Sequence, residues 1–168
     1  MAQSLPSVDL KDSPTGCCPR FDPAPWDGGE FSLEGLRFIK AQTRSFLFMP
    51  LDMTKVMTET QKAIDAAGAA PKDRYLMLSR DLSPWKCEHY FLVEGDVAGF
   101  ETLELPGSFL AKVFEGSYNN MGNWYKGITA FAKERGFAFK ELFAFYTTCP
   151  ACAKAYGKNY VVLLARSA

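Results

Sequence analysis

A chain of 168 residues is long enough for one domain with a real hydrophobic core and needs no covalent staples to hold it. A hydrophobic fraction of 48%, with 14 phenylalanines, excludes a disordered or coiled-coil protein. Its 19 basic residues balance 19 acidic ones without any Lys/Arg run, so neither nucleic acid nor an anionic membrane is an expected partner.

Residues 1–16 are polar and dotted with Pro and Ser, and lack the basic start and apolar run of a signal peptide. No window reaches the length of a membrane span, so the expected location is the cytoplasm. In that reducing compartment five cysteines point to thiols, metal or redox chemistry before structural disulfides. Residues 1–35 read as a frayed tail followed by an arm. The stretch from Cys17-Cys18-Pro19 to Gly29 is too rich in Pro and Gly for regular structure, yet it carries Phe21 and Trp26, which suits a segment laid across a domain surface. Phe31, Leu33 and Leu36 suggest a short strand, and Phe38 to Met49 is a β-prone run.

Asp52 is placed to cap a helix in which Met53, Val56, Met57, Thr60, Ala63, Ile64 and Ala67 recur at helical spacing until Gly68. Tyr75 to Ser79 reads as a strand, Asp81-Leu82-Ser83-Pro84 as a turn, and Cys87 to Val93 as another strand. The order then recurs. Phe109 to Phe114 is a strand, and Asn120 is placed to cap a helix with inward Met121, Trp124, Tyr125, Ile128, Phe131, Ala132 and Arg135 that ends at Gly136. Phe139–Thr147 and Asn159–Ala165 supply two more strands. A shift of 68 residues superposes both caps and both terminal glycines.

These elements predict an α+β fold: a duplicated β-α-β-β antiparallel sheet with two helices on one face, repeat one spanning about 36–97 and repeat two about 102–168. Several strands are apolar on both sides, such as Leu142 to Tyr146 and Tyr160 to Leu164, so the second face must be covered by the arm or a ligand, or curl around a cleft. A cleft between repeats is a natural small-molecule site.

The chemistry-bearing residues fall in a few places. Cys149-Pro150-Ala151-Cys152 is the only Cys-x-x-Cys, and Cys17 with Cys18 offers a second sulfur pair; the set reads as a zinc clasp, as dithiol chemistry through Cys149 and Cys152, or as ordinary thiols. Adjacent side chains tend to diverge, which makes Cys17-Cys18 an unusual half-site. The sole histidine, His89, shares a strand face with Cys87, Phe91 and Val93 and reads as a core histidine. Glu88 lies on the opposite face beside Tyr90 and is the candidate catalytic carboxylate, with a pKa expected to be raised among aromatic rings. Tyr90, Trp85, Glu115, Trp124 and Tyr146 complete the candidate ligand-binding set.

The strand Phe109 to Glu115, the Gly116-Ser117-Tyr118 turn and the following helix with Trp124-Tyr125 resemble the strand, Gly-Pro-Tyr turn and helix of GyrI-like effector-binding domains, whose fold is shared with SOUL-type haem-binding proteins. The resemblance covers roughly residues 36–167, with Ser117 where that family usually has Pro, and the two cysteine segments set this chain apart from ordinary members. It implies binding of an apolar or cationic small molecule between the repeats. It also implies an alternative: hydrolysis of a reactive electrophile by carboxylate-activated water, as in some stand-alone members.

Overall fold

The computed structural model describes residues 2–168 and contains, in chain order, β1 (Gln3–Ser4), β2 (Glu30–Ser32), β3 (Arg37–Phe46), β4 (Met49–Pro50), α1 (Met53–Ala66), β5 (Met77–Ser83), β6 (Lys86–Val93), β7 (Thr102–Glu104), β8 (Ser108–Glu115), α2 (Met121–Glu134), β9 (Phe139–Tyr146), α3 (Pro150–Tyr156) and β10 (Tyr160–Ser167). The fold is α+β, with strand pairing antiparallel throughout the described residues except between β1 and β2. The chain forms two compact units, Glu34–Leu105 in one and the chain up to Leu33 together with Pro106–Ala168 in the other.

In the unit Glu34–Leu105, strand order is β5-β6-β3, with β4 and β7 pairing opposite ends of β3. Pleating sends Ile39, Ala41, Phe91 and Val93 to one face, where α1 seals them with Ile64, Val56, Met57 and Ala63. The helix ends because Gly68 takes φ +62°, a left-handed position that closes the last turn at no Cβ penalty. Its start is less conventional. Asp52 occupies the N-cap position but does not cap; its carboxylate accepts the Arg44 backbone N–H at 2.8 Å and the Arg44 Nε at 2.9 Å instead.

In the other unit the order is β1-β2-β8-β10-β9. Helix α2 lays Trp124, Ile128 and Ala132 on Leu110, Ala144, Val161, Leu163 and Ala165, and Gly136 at φ +64° ends it as Gly68 ends α1. The opposite face of this sheet is the one whose cover the sequence left open, and the N-terminal arm supplies it. Phe21 meets Phe145 edge-on at 6.0 Å between ring centroids, Trp26 lies 5.5 Å from Phe145, and Trp26 meets Phe31 at 5.7 Å. Aromatic pairs of this kind add to plain area burial, and Trp26 and Phe31 are among the largest fully buried side chains.

The duplicated pattern has a topological counterpart. Apart from β4 and β7 in one unit and β1, β2 and the short α3 in the other, each unit runs strand, helix, strand, strand, and the first and second of these strands both pair with the third: β3 and β5 with β6, β8 and β9 with β10. The shift of 68 residues carries Met53–Ala66 onto Met121–Glu134 end to end.

Four local expectations need correction. Gln3–Ser4 pairs with Phe31–Ser32, so the tail is tied into a sheet there rather than frayed. The run from Phe38 to Met49 is broken by a two-residue turn at Leu47-Phe48, since Phe46 pairs with Met49. β5 begins at Met77 rather than Tyr75 and continues through the expected turn to Ser83, absorbing an irregularity between Asp81 and Ser83 as a change of register. Arg135 faces solvent with its guanidinium over the Phe131 ring at 4.9 Å, because a charged head placed at the edge of an apolar stripe stays in water.

Candidate functional site

The first constellation is sulfur. Cys149 ends the loop after β9 and serves as N-cap of α3, where Pro150 fits the first helical position and Gly157 in the left-handed region closes the other end. Cys152 follows one turn later, its backbone N–H directed at Cys149 Sγ at 3.5 Å. The arm brings Cys17 and Cys18 to the same place just after Gly16, whose φ of +69° bends the chain. The adjacent pair does not diverge: Cys17 Sγ and Cys18 Sγ lie 3.8 Å apart, and the Cys149 N–H donates to Cys18 Sγ at 3.3 Å.

All four sulfurs lie within 4.8 Å of one another. A tetrahedral zinc with metal–sulfur bonds of about 2.3 Å sets its sulfurs about 3.8 Å apart, so the spread needs only small rotamer changes to close on an ion. Backbone N–H groups aimed at the sulfurs favour the thiolate form that a metal needs. Around the cluster, Thr15 Oγ1 lies 3.2 Å from Cys152 Sγ and 3.0 Å from the Tyr156 hydroxyl, which donates to the Cys18 carbonyl at 2.5 Å. The Thr15 hydroxyl, with help from its cysteine neighbours, brings the Cys152 thiol down to about 6, whereas burial pushes Cys18 up. Four cysteines can therefore hold a metal here. The helix behind Cys149 spans Pro150–Tyr156 only, short of the long helix that a thioredoxin-type dithiol site carries.

The second constellation lies on the face of the Glu34–Leu105 sheet away from α1. Glu88 in β6 is flanked across the strands by Gln42 of β3 and Arg80 of β5. Its carboxylate accepts the Tyr90 hydroxyl at 2.5 Å and the Gln42 amide at 3.4 Å, and the Lys40 ammonium stands at 3.2 Å. Its side chain is 9% exposed. Burial alone raises such a carboxyl, but the Tyr90 hydroxyl, Lys40 and Gln42 together outweigh it and hold Glu88 below the ordinary range. The expected upward shift is thus reversed. Strand alternation showed Tyr90 beside Glu88, but Lys40 and Gln42 belong to a strand whose register only the folded sheet discloses.

His89 lies on the other face, buried under α1, with Nε2 2.9 Å from Thr43 Oγ1 and Nδ1 2.8 Å from Ser79 Oγ. Burial lowers its pKa to about 4, partly opposed by the charge of Asp52, so the ring is neutral. Both nitrogens are engaged by hydroxyls, and Cys87 is a buried thiol whose burial raises its pKa to about 12; no Cys–His nucleophilic pair forms.

The remaining candidates separate. Trp85 is half exposed on the β5–β6 turn against Phe46, with ring centroids 5.5 Å apart. Trp124 is buried in α2, stacked on Phe114 at 5.7 Å, and Tyr146 at the end of β9 meets Tyr118 edge-on at 5.7 Å. Glu115 is exposed at the end of β8 opposite Tyr160. Of the predicted ligand set, the structure joins Tyr90 to Glu88 and places Trp124 and Tyr146 around one hydrophobic core.

The fold and these two constellations describe an α+β protein with a buried, ion-paired carboxylate and a converged set of four cysteines. Residues 8–167 match the bacterial hydrolase family, and the chain belongs to that family. No curated protein matches the sequence. Among the described residues no helix is long and apolar enough to cross a membrane.

Proposed function

We propose that this chain hydrolyses a small electrophilic molecule, with Glu88 directing the attacking water, Tyr90 holding the Glu88 carboxylate and Lys40 steadying the charge that develops on the substrate. The observation that carries this reading is the buried Glu88 carboxylate held ionised by Tyr90 and Lys40, in a chain that belongs to a hydrolase family. In the reaction a water O–H bond breaks toward the Glu88 carboxylate while the water oxygen bonds to the electrophilic carbon. The electron pair displaced from that carbon settles on the substrate oxygen, where the Lys40 ammonium stabilises it until the proton held by Glu88 passes to it. The Tyr90 hydroxyl, its one proton directed at Glu88, keeps the carboxylate in place. Gln42 fixes the carboxylate rotamer.

A depressed pKa makes Glu88 a weak base, so the site suits electrophiles already strained or activated, which need little help from the base. That is the substrate class implied by the resemblance to GyrI-like domains, and the equal strand order of the two units supports the same resemblance. The sulfur cluster acts separately, as a zinc clasp that pins the arm to the β9–β10 connection and so keeps Phe21 and Trp26 on the sheet.

The test is Glu88→Gln assayed on a panel of activated esters and strained epoxides. Loss of turnover by about a hundredfold or more, with the thermal melt retained, is expected. Undiminished turnover in that variant overturns the assignment.

A further inference from the structure

The end of the Glu34–Leu105 unit that carries β4 violates the usual partition of side chains. Phe46, Leu47, Phe48, Met49 and Leu51 are each 56–70% exposed, and Trp85 and Leu82 add to the same apolar surface at 50% and 42%. Phe46 and Trp85 are in ring contact, so the β3–β4 and β5–β6 turns form one patch. Single exposed apolar residues need no explanation, but a contiguous set of this size marks a contact surface.

The backbone gives a second, independent observation. Leu47 and Phe48 both have positive φ, +48° and +68°, and as the two loop residues between paired Phe46 and Met49 they occupy a turn that favours Asn-Gly. A large apolar residue is disfavoured there by backbone sterics and again by exposure to water. The Phe48 backbone N–H donates to the Pro84 carbonyl at 2.9 Å, but neither side chain is buried in the core to offset these costs.

The form of the patch and its charges indicate what receives it. The apolar side chains crown a hairpin tip rather than line a groove, so a protein partner would need a matching pocket, whereas a bilayer interface accepts a convex apolar wedge without one. Three exposed cations lie close to the tip in sequence: Lys86 next to Trp85, Arg44 two residues before Phe46, and Lys55 in the first turn of α1. Of the nearby carboxylates, Asp52 and Glu59 are engaged with Arg44 and Lys55, and Asp81, exposed beside Leu82, is engaged with the Cys87 thiol, whereas Lys86 has no ion pair among the described residues. Apolar tip, indole and ammonium in succession match acyl boundary, interface and headgroup phosphate.

We infer that the β3–β4 hairpin, with Trp85 and Lys86, is a docking tip for the surface of an anionic phospholipid bilayer. This runs against the expectation from composition, which averaged charge over the whole chain and could not register apolar side chains gathered at one turn. It stands independently of the hydrolase reading, since it uses none of that site's residues.

The experiment mixes the full chain with phosphatidylcholine vesicles, with and without phosphatidylglycerol, and follows co-sedimentation and tryptophan emission. Trp26 and Trp124 are buried, so a blue shift on binding reports Trp85. Leu47→Asn combined with Phe48→Gly installs the residues that the turn prefers and should keep the fold while weakening vesicle binding at least about tenfold. Lys86→Glu should weaken binding to the anionic vesicles alone. Absence of binding to either vesicle, or equal binding by the turn variant, overturns the proposal. So does a native dimer that the turn variant converts to monomer, which would make a second copy the occupant.

Discussion

The buried histidine makes acid stability a direct test of the structure. Burial among Thr43, Ser79 and the α1 core brings His89 down to about 4 in the folded protein, against 6.5 for an ordinary histidine, because it disfavours the charged ring. Well above pH 6.5 the ring is neutral in both folded and unfolded chains, and its contribution is complete. As pH falls from 6.5 toward 4 the unfolded chain takes up a proton that the folded one refuses, so stability drops through that window and levels off below it. The full difference is about 3 kcal/mol, of which about 2 kcal/mol is lost by pH 5. Urea denaturation at about pH 7.5 and pH 5 measures it, with His89→Gln as the non-titrating comparison. The variant starts less stable, but its loss between the two pH values should be smaller than the native protein's by about 2 kcal/mol. Because the chain has a single histidine, an NMR titration reads the same pKa without ambiguity. Equal losses in native and variant proteins, or an imidazole titrating near 6.5, would refute the buried neutral ring.

Purified protein should carry about one zinc per chain. Stripping the zinc with a chelator, or replacing Cys149 by Ser, should lower the melting temperature by about 10 °C and shift Trp26 emission to the red as the arm lifts. Gly68→Ala and Gly136→Ala should each cost about 1 kcal/mol in denaturant unfolding, since both positions are left-handed but open, with no atom within 4 Å of an added Cβ. Gly122→Ala, equally open inside α2 and without a positive φ, should instead stabilise by about 0.5–1 kcal/mol. If all three glycine variants move in the same direction, the backbone reading is wrong.

Much of the architecture was legible because it is local. The spacing of Val56, Met57, Thr60 and Ile64, and of Trp124, Ile128 and Ala132, states a helix period whatever the rest of the chain does, and Gly68 and Gly136 mark the stops by backbone sterics alone. Strand alternation likewise separates Glu88 and Tyr90 from His89 by period two alone. Apolar residues on both sides of β9 and β10 required a cover, and the aromatics of the arm were the visible candidate.

What the sequence could not decide depends on pairing between distant segments. The sign of the Glu88 shift turns on the Tyr90 hydroxyl together with Lys40 and Gln42; strand alternation shows the first, but the other two are brought alongside only by the β3–β6 register, and an ammonium with two hydrogen-bond donors reverses what burial alone would do. Convergence of Cys17 and Cys18 on Cys149 and Cys152 needs the arm to cross its sheet, since vicinal side chains have no intrinsic tendency to meet. The exposed tip at Leu47-Phe48 is the sharpest case. As sequence it continues a β-prone run; only the closure of β3 on β4 turns the same apolar residues outward, because a strand's side chains are buried or exposed by what lies opposite them and not by their own preference.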